Sequence, residues 1–378
     1  VHFFIQKSLL NYGVQHAFKA VATRTTIPIL TGIKIEATTD SVSFVGSDSD
    51  ISIQCKILNE TDEKTNVKMA RLGSIVAPAK FFTEIVRKLP GDEVEIQVHD
   101  QLGITIRSGQ AEFNLNGMDP EEYPKLPELI GSQSFRIPSS LLKTMIRQTV
   151  FSAASTETRP ILTGVKWDCA NNMLAFTATN SHRLSYRQSK IEAADDLQFD
   201  NIVVPAKSCN ELHKILEDDD RLVDVMVTNN QLYVRQDEIM FYSRLLEGNY
   251  PETKRLIPQT SQTEIIVDTD YFLAAIERVA LLSRDSKSNV VKLSIEGSQL
   301  ELMSYSPEIG KAVERLDANE SNGEPLKISF NAQFMLDALR AIDSDEVRIG
   351  FSGAMRPFVL HAKDHQWVTQ LILPLRTL

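Results

Sequence analysis

The chain has 378 residues, 42% hydrophobic and 24% charged, so it can bury an ordinary core and has room for two or three domains. Its net charge of −10, taken whole, weighs against nucleic-acid binding, and no apolar run nears the ~20 residues that span a bilayer. Cys55, Cys169 and Cys209 stand far apart and fit free thiols in a reducing cytoplasm, while Val1-His2-Phe3-Phe4-Ile5-Gln6 lacks the basic and apolar regions of a secretory leader.

Taken in order, residues 3–6 read as a short strand. Residues 7–23 read as a helix, with Leu10, Val14, Phe18 and Val21 on one face. Strands follow at 32–37, 41–46 and 51–58. Val76-Ala77-Pro78-Ala79-Lys80 leads into a second helix that buries Phe82, Ile85, Val86 and Leu89 and stops at Pro90-Gly91-Asp92. Strands at 93–98, 103–108 and 112–115 run to Glu122-Tyr123-Pro124-Lys125-Leu126-Pro127. The order then repeats. Helix 138–153 aligns Leu142, Ile146 and Val150, and strands follow at 165–169, 174–179 and 184–188. Val204-Pro205-Ala206-Lys207 opens a helix burying Leu212, Ile215 and Leu216, and Asn249-Tyr250-Pro251 echoes the earlier closing segment. In the last third, helix 268–283, capped by Asp268 or Thr269, turns Phe272, Ile276, Val279 and Leu282 inward. Val291-Lys292-Leu293 begins a strand, Phe330-Asn331-Ala332-Gln333 leads helix 334–342, and the chain closes on an apolar Leu371-Ile372-Leu373-Pro374-Leu375.

Pro28-Ile29-Leu30-Thr31-Gly32 recurs as Pro160-Ile161-Leu162-Thr163-Gly164, an interval of 132 residues. Five identical residues recurring inside one chain point to a duplicated unit. The third unit lacks the motif but keeps the spacing of its helices. The expected fold is therefore α+β: three tandem repeats at 1–130, 131–259 and 260–378, each with two helices and antiparallel sheets.

Charge is unevenly spread among these elements. Segment 7–24 carries +3, segments 78–90 and 138–159 carry +2 each, segment 205–216 carries +1, and the third unit's helices carry −1 and 0. The helices thus hold +7 and the remainder −17. One basic helix is an ordinary solvated face. Four at equivalent repeat positions make a basic surface within an acidic protein, which attracts phosphate locally.

Catalytic readings are weak. Ser181-His182 would point to opposite faces of a strand, so the two cannot act as nucleophile and base. Gly46-Ser47-Asp48-Ser49-Asp50 has two carboxylates at i, i+2 but no further matching ligands, and fits a solvated turn equally. There is no P-loop, HExxH or GxSxG pattern, and the seven histidines show no metal spacing. No catalytic site, metal or cofactor is expected. A scaffold acting on proteins alone is disfavoured by the basic helices.

The threefold repeat, Pro28-Ile29-Leu30, Thr179-Asn180-Ser181-His182-Arg183-Leu184, Tyr250-Pro251-Glu252-Thr253-Lys254-Arg255-Leu256-Ile257-Pro258 and the terminal Leu373-Pro374-Leu375-Arg376 together resemble the bacterial DNA sliding clamp family, the beta subunits of DNA polymerase III, over essentially the full length. The resemblance implies a DNA clamp fold that closes into a ring as a head-to-tail homodimer, with helices facing double-stranded DNA without sequence preference. It implies a non-catalytic processivity subunit, cytoplasmic and nucleoid-associated, with no membrane partner. On this reading Lys7, Lys19, Arg24, Lys80, Arg87, Lys88, Lys143, Arg147, Lys207, Lys214, Arg278 and Lys287 face DNA. Arg24 is the strongest of these, and a solvated surface role fits each of the others as well. The resemblance also implies a pocket for linear motifs of the DNA polymerase III alpha subunit, the clamp loader, repair polymerases and mismatch-repair proteins. Its lining would be Leu162, Thr179, Ser181, His182, Arg183, Leu184, Pro251, Arg255, Leu256, Leu373, Pro374, Leu375 and Arg376. Leu184 and Leu256 alternatively read as plain core. Thr377 and Leu378 run past the usual family ending. The dimer interface would pair Phe113 and Leu115 with Leu281 and Leu282, of which Leu282 reads equally as core.

Overall fold

The computed structural model describes residues 1–61, 64–127, 133–156, 158–194, 197–283 and 289–376. Among them are six α-helices: α1 Lys7–Phe18, α2 Ala79–Lys88, α3 Ser139–Arg147, α4 Ala206–Ile215, α5 Thr269–Ala280 and α6 Ala332–Ala341. The chain forms two compact units, one of Val1–Ser140 with Glu211–Leu245, the other of Leu141–Asn210 with Leu246–Leu378.

The repeated motif is not the start of a strand. Pro28–Thr31 and Pro160–Thr163 are single 3-10 turns, each with proline at its first position, where the missing N–H costs nothing. The threonine hydroxyl donates back to the proline carbonyl at 2.7 Å in both copies. The strand begins only at the glycine. A Cβ on Gly32 would stand 2.3 Å from Val76, and one on Gly164 would stand 2.7 Å from Val203. Close approach of the neighbouring strand thus fixes the fifth residue of the motif.

The first unit holds an eight-stranded antiparallel sheet. Its order is Gln133–Pro138, Leu222–Val227, Gln231–Gln236, Ile239–Arg244, Ile51–Leu58, Ser41–Ser47, Gly32–Ala37 and Gly73–Pro78. The second unit repeats that order. Strands Ile239–Arg244 through Gly73–Pro78 have as counterparts Val368–Ile372, Arg183–Lys190, Met173–Thr179, Gly164–Ala170 and Phe199–Pro205. A smaller sheet completes each unit, ending at the edge strand Ala111–Asn116 in the first and Gly310–Asp317 in the second. Strand Val67–Arg71 escapes the sequence reading because it lies at a sheet edge with only Val67 buried, so it shows no alternation.

Three helices stop earlier than their periodicity suggests. α1 ends at Phe18, where Lys19, Ala20 and Val21 tighten to carbonyls three residues back and Ala22 turns to meet Leu30. Phe18 is consequently exposed rather than part of the buried face. α3 ends at Arg147 and passes into a short 3-10 turn at Val150–Ser152. α5 ends at Ala280, and the Ser283 hydroxyl donates to the Ala280 carbonyl at 3.1 Å. Its N-cap is Asp268, whose carboxylate accepts from Tyr271 N–H at 2.7 Å. α5 and α6 seat Phe272, Ile276, Val279, Met335 and Leu339 in one core with Phe330, Phe351 and Phe358.

Candidate nucleic-acid interface and partner cleft

The basic side chains divide by what already occupies them. In the first unit Arg24, Lys80, Arg87 and Lys88 are exposed, without a hydrogen bond or ion pair among the described residues. Arg24 lies in the turn after α1, and the other three ride on α2, whose buried face is Phe82, Thr83 and Val86. Lys7 has other work. Its ammonium caps the Leu89 carbonyl at the end of α2, and its backbone N–H donates to Asp92 at 2.7 Å. Lys19 donates to the Lys214 carbonyl at 3.2 Å, and partial burial lowers its pKa from the ordinary lysine range. Lys214 pairs with Glu211 at 2.8 Å.

In the second unit Lys143 is half-buried and has no side-chain partner among the described residues. Arg147 is committed to the end of α6, where it donates to the Arg340 carbonyl and the Asp343 carboxylate. Arg278 forks onto the Glu314 carboxylate through two nitrogens, which cancels its charge locally. Lys207 is exposed and carries an interaction within the protein. Lys287 lies outside the described residues.

The cleft residues lie in the second unit, around the turn between strands Met173–Thr179 and Arg183–Lys190. The Thr179 hydroxyl donates to the Arg183 carbonyl at 2.6 Å and accepts from Ser181 N–H at 3.1 Å. Asn180 accepts from His182 N–H at 3.0 Å and Arg183 N–H at 3.1 Å. Ser181 sits at φ 73°, a left-handed position that such bonds stabilise. Ser181 and His182 are therefore turn residues, and the strand geometry expected for them does not apply. Both are exposed, and the His182 carbonyl accepts from Leu373 N–H at 3.0 Å. That bond ties the terminal segment to the turn. Two residues on, Leu375 N–H donates to Ser329 at 2.7 Å.

Arg183 does not offer its donors outward. One nitrogen donates to Asp337 at 2.6 Å, another to the Phe151 carbonyl, and the guanidinium lies over the rings of Phe151 and Phe334 at 5.2 and 4.7 Å. Leu184 is core, packed with Val359 and Leu371. Thr179 and Leu162 are buried as well, Leu162 beside Val203 and Tyr250. The residues left to form a surface are Ser181, His182, Pro251, Arg255, Leu256, Leu373 and Arg376, with Pro374 and Leu375 half-buried. Leu256 is 57% exposed and Leu373 36%, so both offer apolar surface to solvent.

Phe113 is exposed and Leu115 half-buried on the edge strand Ala111–Asn116. Leu281 is exposed just beyond α5, and Leu282 is half-buried. Ile309 and Val313, which the sequence reading does not single out, are also exposed at the edge strand Gly310–Asp317. Sequence reasoning missed Phe151, Phe334 and Asp337, which sequence spacing does not tie to Arg183. Tyr250 had a visible signal, because Tyr-Pro closes both units. The Asp48 carboxylate, weighed as a metal ligand, instead accepts from Asp50 and Ile51 N–H at 3.0 and 2.8 Å and closes its own turn.

Residues 1–127, 136–252 and 254–376 match the N-terminal, central and C-terminal domains of the DNA polymerase III beta subunit. The chain is 52% identical to the beta sliding clamp of Bacillus subtilis over 376 residues, covering 99% of both. It is 43% identical to that of Staphylococcus aureus over 377 residues, covering 100% of both. The crystal structure of the B. subtilis DNA polymerase sliding clamp matches with a TM-score of 0.97, covering 100% of this chain and 99% of that one. A Pseudomonas aeruginosa sliding clamp bound to griselimycin matches at 0.93 with 26% identity, again covering 100% and 99%. With every domain of the family matched in order along the chain, the protein belongs to the DNA polymerase III beta subunit family, the bacterial sliding clamps.

Proposed function

We propose that two copies of the chain close into a ring around duplex DNA and tether the replicative polymerase to it, with no catalysis of their own. The observation that carries this reading is the full-length likeness to sliding clamps at 52% identity. Unpaired cations at Arg24, Lys80, Arg87 and Lys88 support it, because exchangeable phosphate contacts hold DNA while letting the ring slide. Lys143, Lys19 and Lys207 are secondary contributors. Lys7, Arg147, Lys214 and Arg278 already have partners and contribute least. The repeats at 1–130, 131–259 and 260–378 are the ring's building blocks, and the protein works in the cytoplasm at the nucleoid.

Ring closure pairs the edge strand carrying Phe113 and Leu115 with the region of Leu281 and Leu282 in the second copy. The free edge at Ile309 and Val313 extends that surface. Partner proteins insert a linear motif with Leu or Phe anchors over Leu256, Leu373 and the Thr179–Leu184 turn.

Replacing Arg24 and Lys80 with alanine tests the DNA surface. DNA association is expected to weaken, with the slope of log K against log salt shallower by about 2 per chain. Light scattering should still show a dimer. An unchanged salt slope would remove the DNA assignment.

A further inference from the structure

We infer that Tyr250, pinned by Asn201, is the positioning residue that holds the walls of the partner cleft in their binding shape. This rests on the reading of that cleft as a peptide site. Three of its segments meet at this one side chain. The Tyr250 ring packs with Leu162, its hydroxyl accepts from Thr179 N–H at 3.0 Å at the start of the turn, and Pro251 follows it in the chain. Tyr250 is itself buried, so it presents no surface to a partner. Burial also pushes its phenol well above the ordinary tyrosine range, so the hydroxyl stays neutral.

The brace beneath Tyr250 comes from an irregularity in the sheet. Strands Gly164–Ala170 and Phe199–Pro205 lose register between Trp167 and Cys169, and the extra residue places Asn201 at φ 58°. Its side chain then spans the segment ahead of Pro251. The Asn201 amide donates to the Gly248 carbonyl at 2.8 Å, and its oxygen accepts from Tyr250 N–H at 2.9 Å. The Asn201 backbone N–H is fixed in turn by Asp168 at 3.0 Å and Asp200 at 2.9 Å. Lys166 bridges those two carboxylates at 3.1 and 2.9 Å. A continuous polar chain therefore runs from Lys166 to Thr179.

The first unit supplies an internal control. Tyr123 is likewise buried, beside Leu30; its hydroxyl donates to the Val45 carbonyl at 3.3 Å and meets the Ser47 backbone as Tyr250 meets Thr179, so the control lacks only the brace. Strands Gly32–Ala37 and Gly73–Pro78 pair without a bulge, and Ser74 lies where the Asn201 side chain would be needed.

The test is the affinity of the full-length protein for a labelled peptide from the cognate DNA polymerase III alpha subunit that carries its Leu and Phe anchors, read by anisotropy well below the melting temperature. Tyr250→Phe deletes only the hydroxyl, and Asn201→Gly keeps the left-handed backbone while deleting both side-chain bonds. Kd is expected to rise about fivefold and about tenfold respectively, in the range of one and two lost hydrogen bonds. Tyr123→Phe should leave Kd unchanged, although it removes the same atom from an equally buried ring. Binding by Tyr250→Phe and Asn201→Gly within twofold of the parent would overturn the proposal and leave Tyr250 as core. If Asn201→Gly does not fold, Tyr250→Phe decides alone. If the parent does not bind the peptide, or Leu256→Ala binds as well as the parent, the peptide site itself fails and takes the proposal with it.

Discussion

Ser47 and Thr179 stand 132 residues apart at the ends of equivalent strands, and each opens a turn of the same construction. In each, the first hydroxyl donates four residues on, to Ile51 at 3.2 Å or Arg183 at 2.6 Å. In each, the second side chain accepts two backbone N–H groups, and the third residue is a serine at positive φ, 82° or 73°. Even the docking of the next strand repeats: Arg244 N–H donates to Asp50 at 2.9 Å, as Leu373 N–H does to His182 at 3.0 Å. What differs is the side chains mounted on this frame. The first copy shows Asp50 and Arg244 above a buried Ile51, while the second shows His182 and Leu373 above the ion-paired Arg183. The charged rim of the first copy suits water, and the apolar rim of the second suits an apolar anchor. On the proposed reading, one backbone device carries a partner site in one copy only, and a few side chains make the difference.

The largest effect expected from breaking this contrast is at Arg183. Arg183→Ala leaves the half-buried Asp337 carboxylate with Gln333 in place of the guanidinium and opens space between Phe151 and Phe334, so it should cost about 4 kcal/mol of unfolding free energy. Denaturant titration measures this. A cost below about 1 kcal/mol would mean that water replaces the pair and that the turn does not depend on it. Next is Gly46, whose place 132 residues on is taken by Ala178. A Cβ on Gly46 would lie 1.9 Å from the Ala17 carbonyl oxygen, because α1 crosses the strand there. Gly46→Ala should cost about 3 kcal/mol and Ala178→Gly about 1 kcal/mol. A cost for Gly46→Ala no larger than that for Ala178→Gly would mean that α1 gives way and the close approach does not constrain the first copy.

Much of the fold is legible because repetition doubles every signal. The Pro-Ile-Leu-Thr-Gly copies, the helix spacing and the alternating strands give all six helices and most strands in order, but not the strand ahead of each second helix, Gly73–Pro78, Phe199–Pro205 and Leu326–Asn331. The equivalence of Ser47-Asp48-Ser49 with Thr179-Asn180-Ser181 is harder to see, since acid and amide look unlike as letters yet serve the same way as short acceptors. The sequence reading therefore weighed one as a metal ligand and the other as part of a partner pocket. Arg183 stands among the expected pocket residues, and nothing in the sequence ties it to its partner Asp337, 154 residues away. The partners of Lys7, Arg147 and Arg278 are hidden for a related reason. Counting charge by helix registers a cation but not the carbonyl or carboxylate that already occupies it. The brace at Asn201 depends on a bulge, and a single extra residue in a strand leaves no periodic trace.

The smallest expected effect tests whether only the second copy carries an acid–base brace. Asp168 has 16% of its side chain exposed, against 78% for Asp200. Burial first, and then its hydrogen bond with Asp200, push the Asp168 carboxyl up to about 6, while Asn201 N–H and Lys166 oppose the shift. The hydrogen bond with Asp168, and then Lys166, hold the more exposed Asp200 low, so it stays ionised. The folded state therefore favours the protonated form of Asp168. Its contribution to stability is complete below the unfolded value of 3.8 and fades as the pH rises through about 6. Asp168→Asn fixes the neutral form and removes this dependence. Between pH 5 and pH 7 the melting temperature of the parent should fall relative to Asp168→Asn by about 2 °C, as a loss of about 1 kcal/mol implies. Glu36, the counterpart in the first copy, is exposed on a strand paired without a bulge. A gap between parent and Asp168→Asn that stays constant from pH 5 to pH 7 would mean that Asp168 is already ionised at pH 5. The brace would then be an ordinary salt bridge, and the two copies would differ in geometry alone.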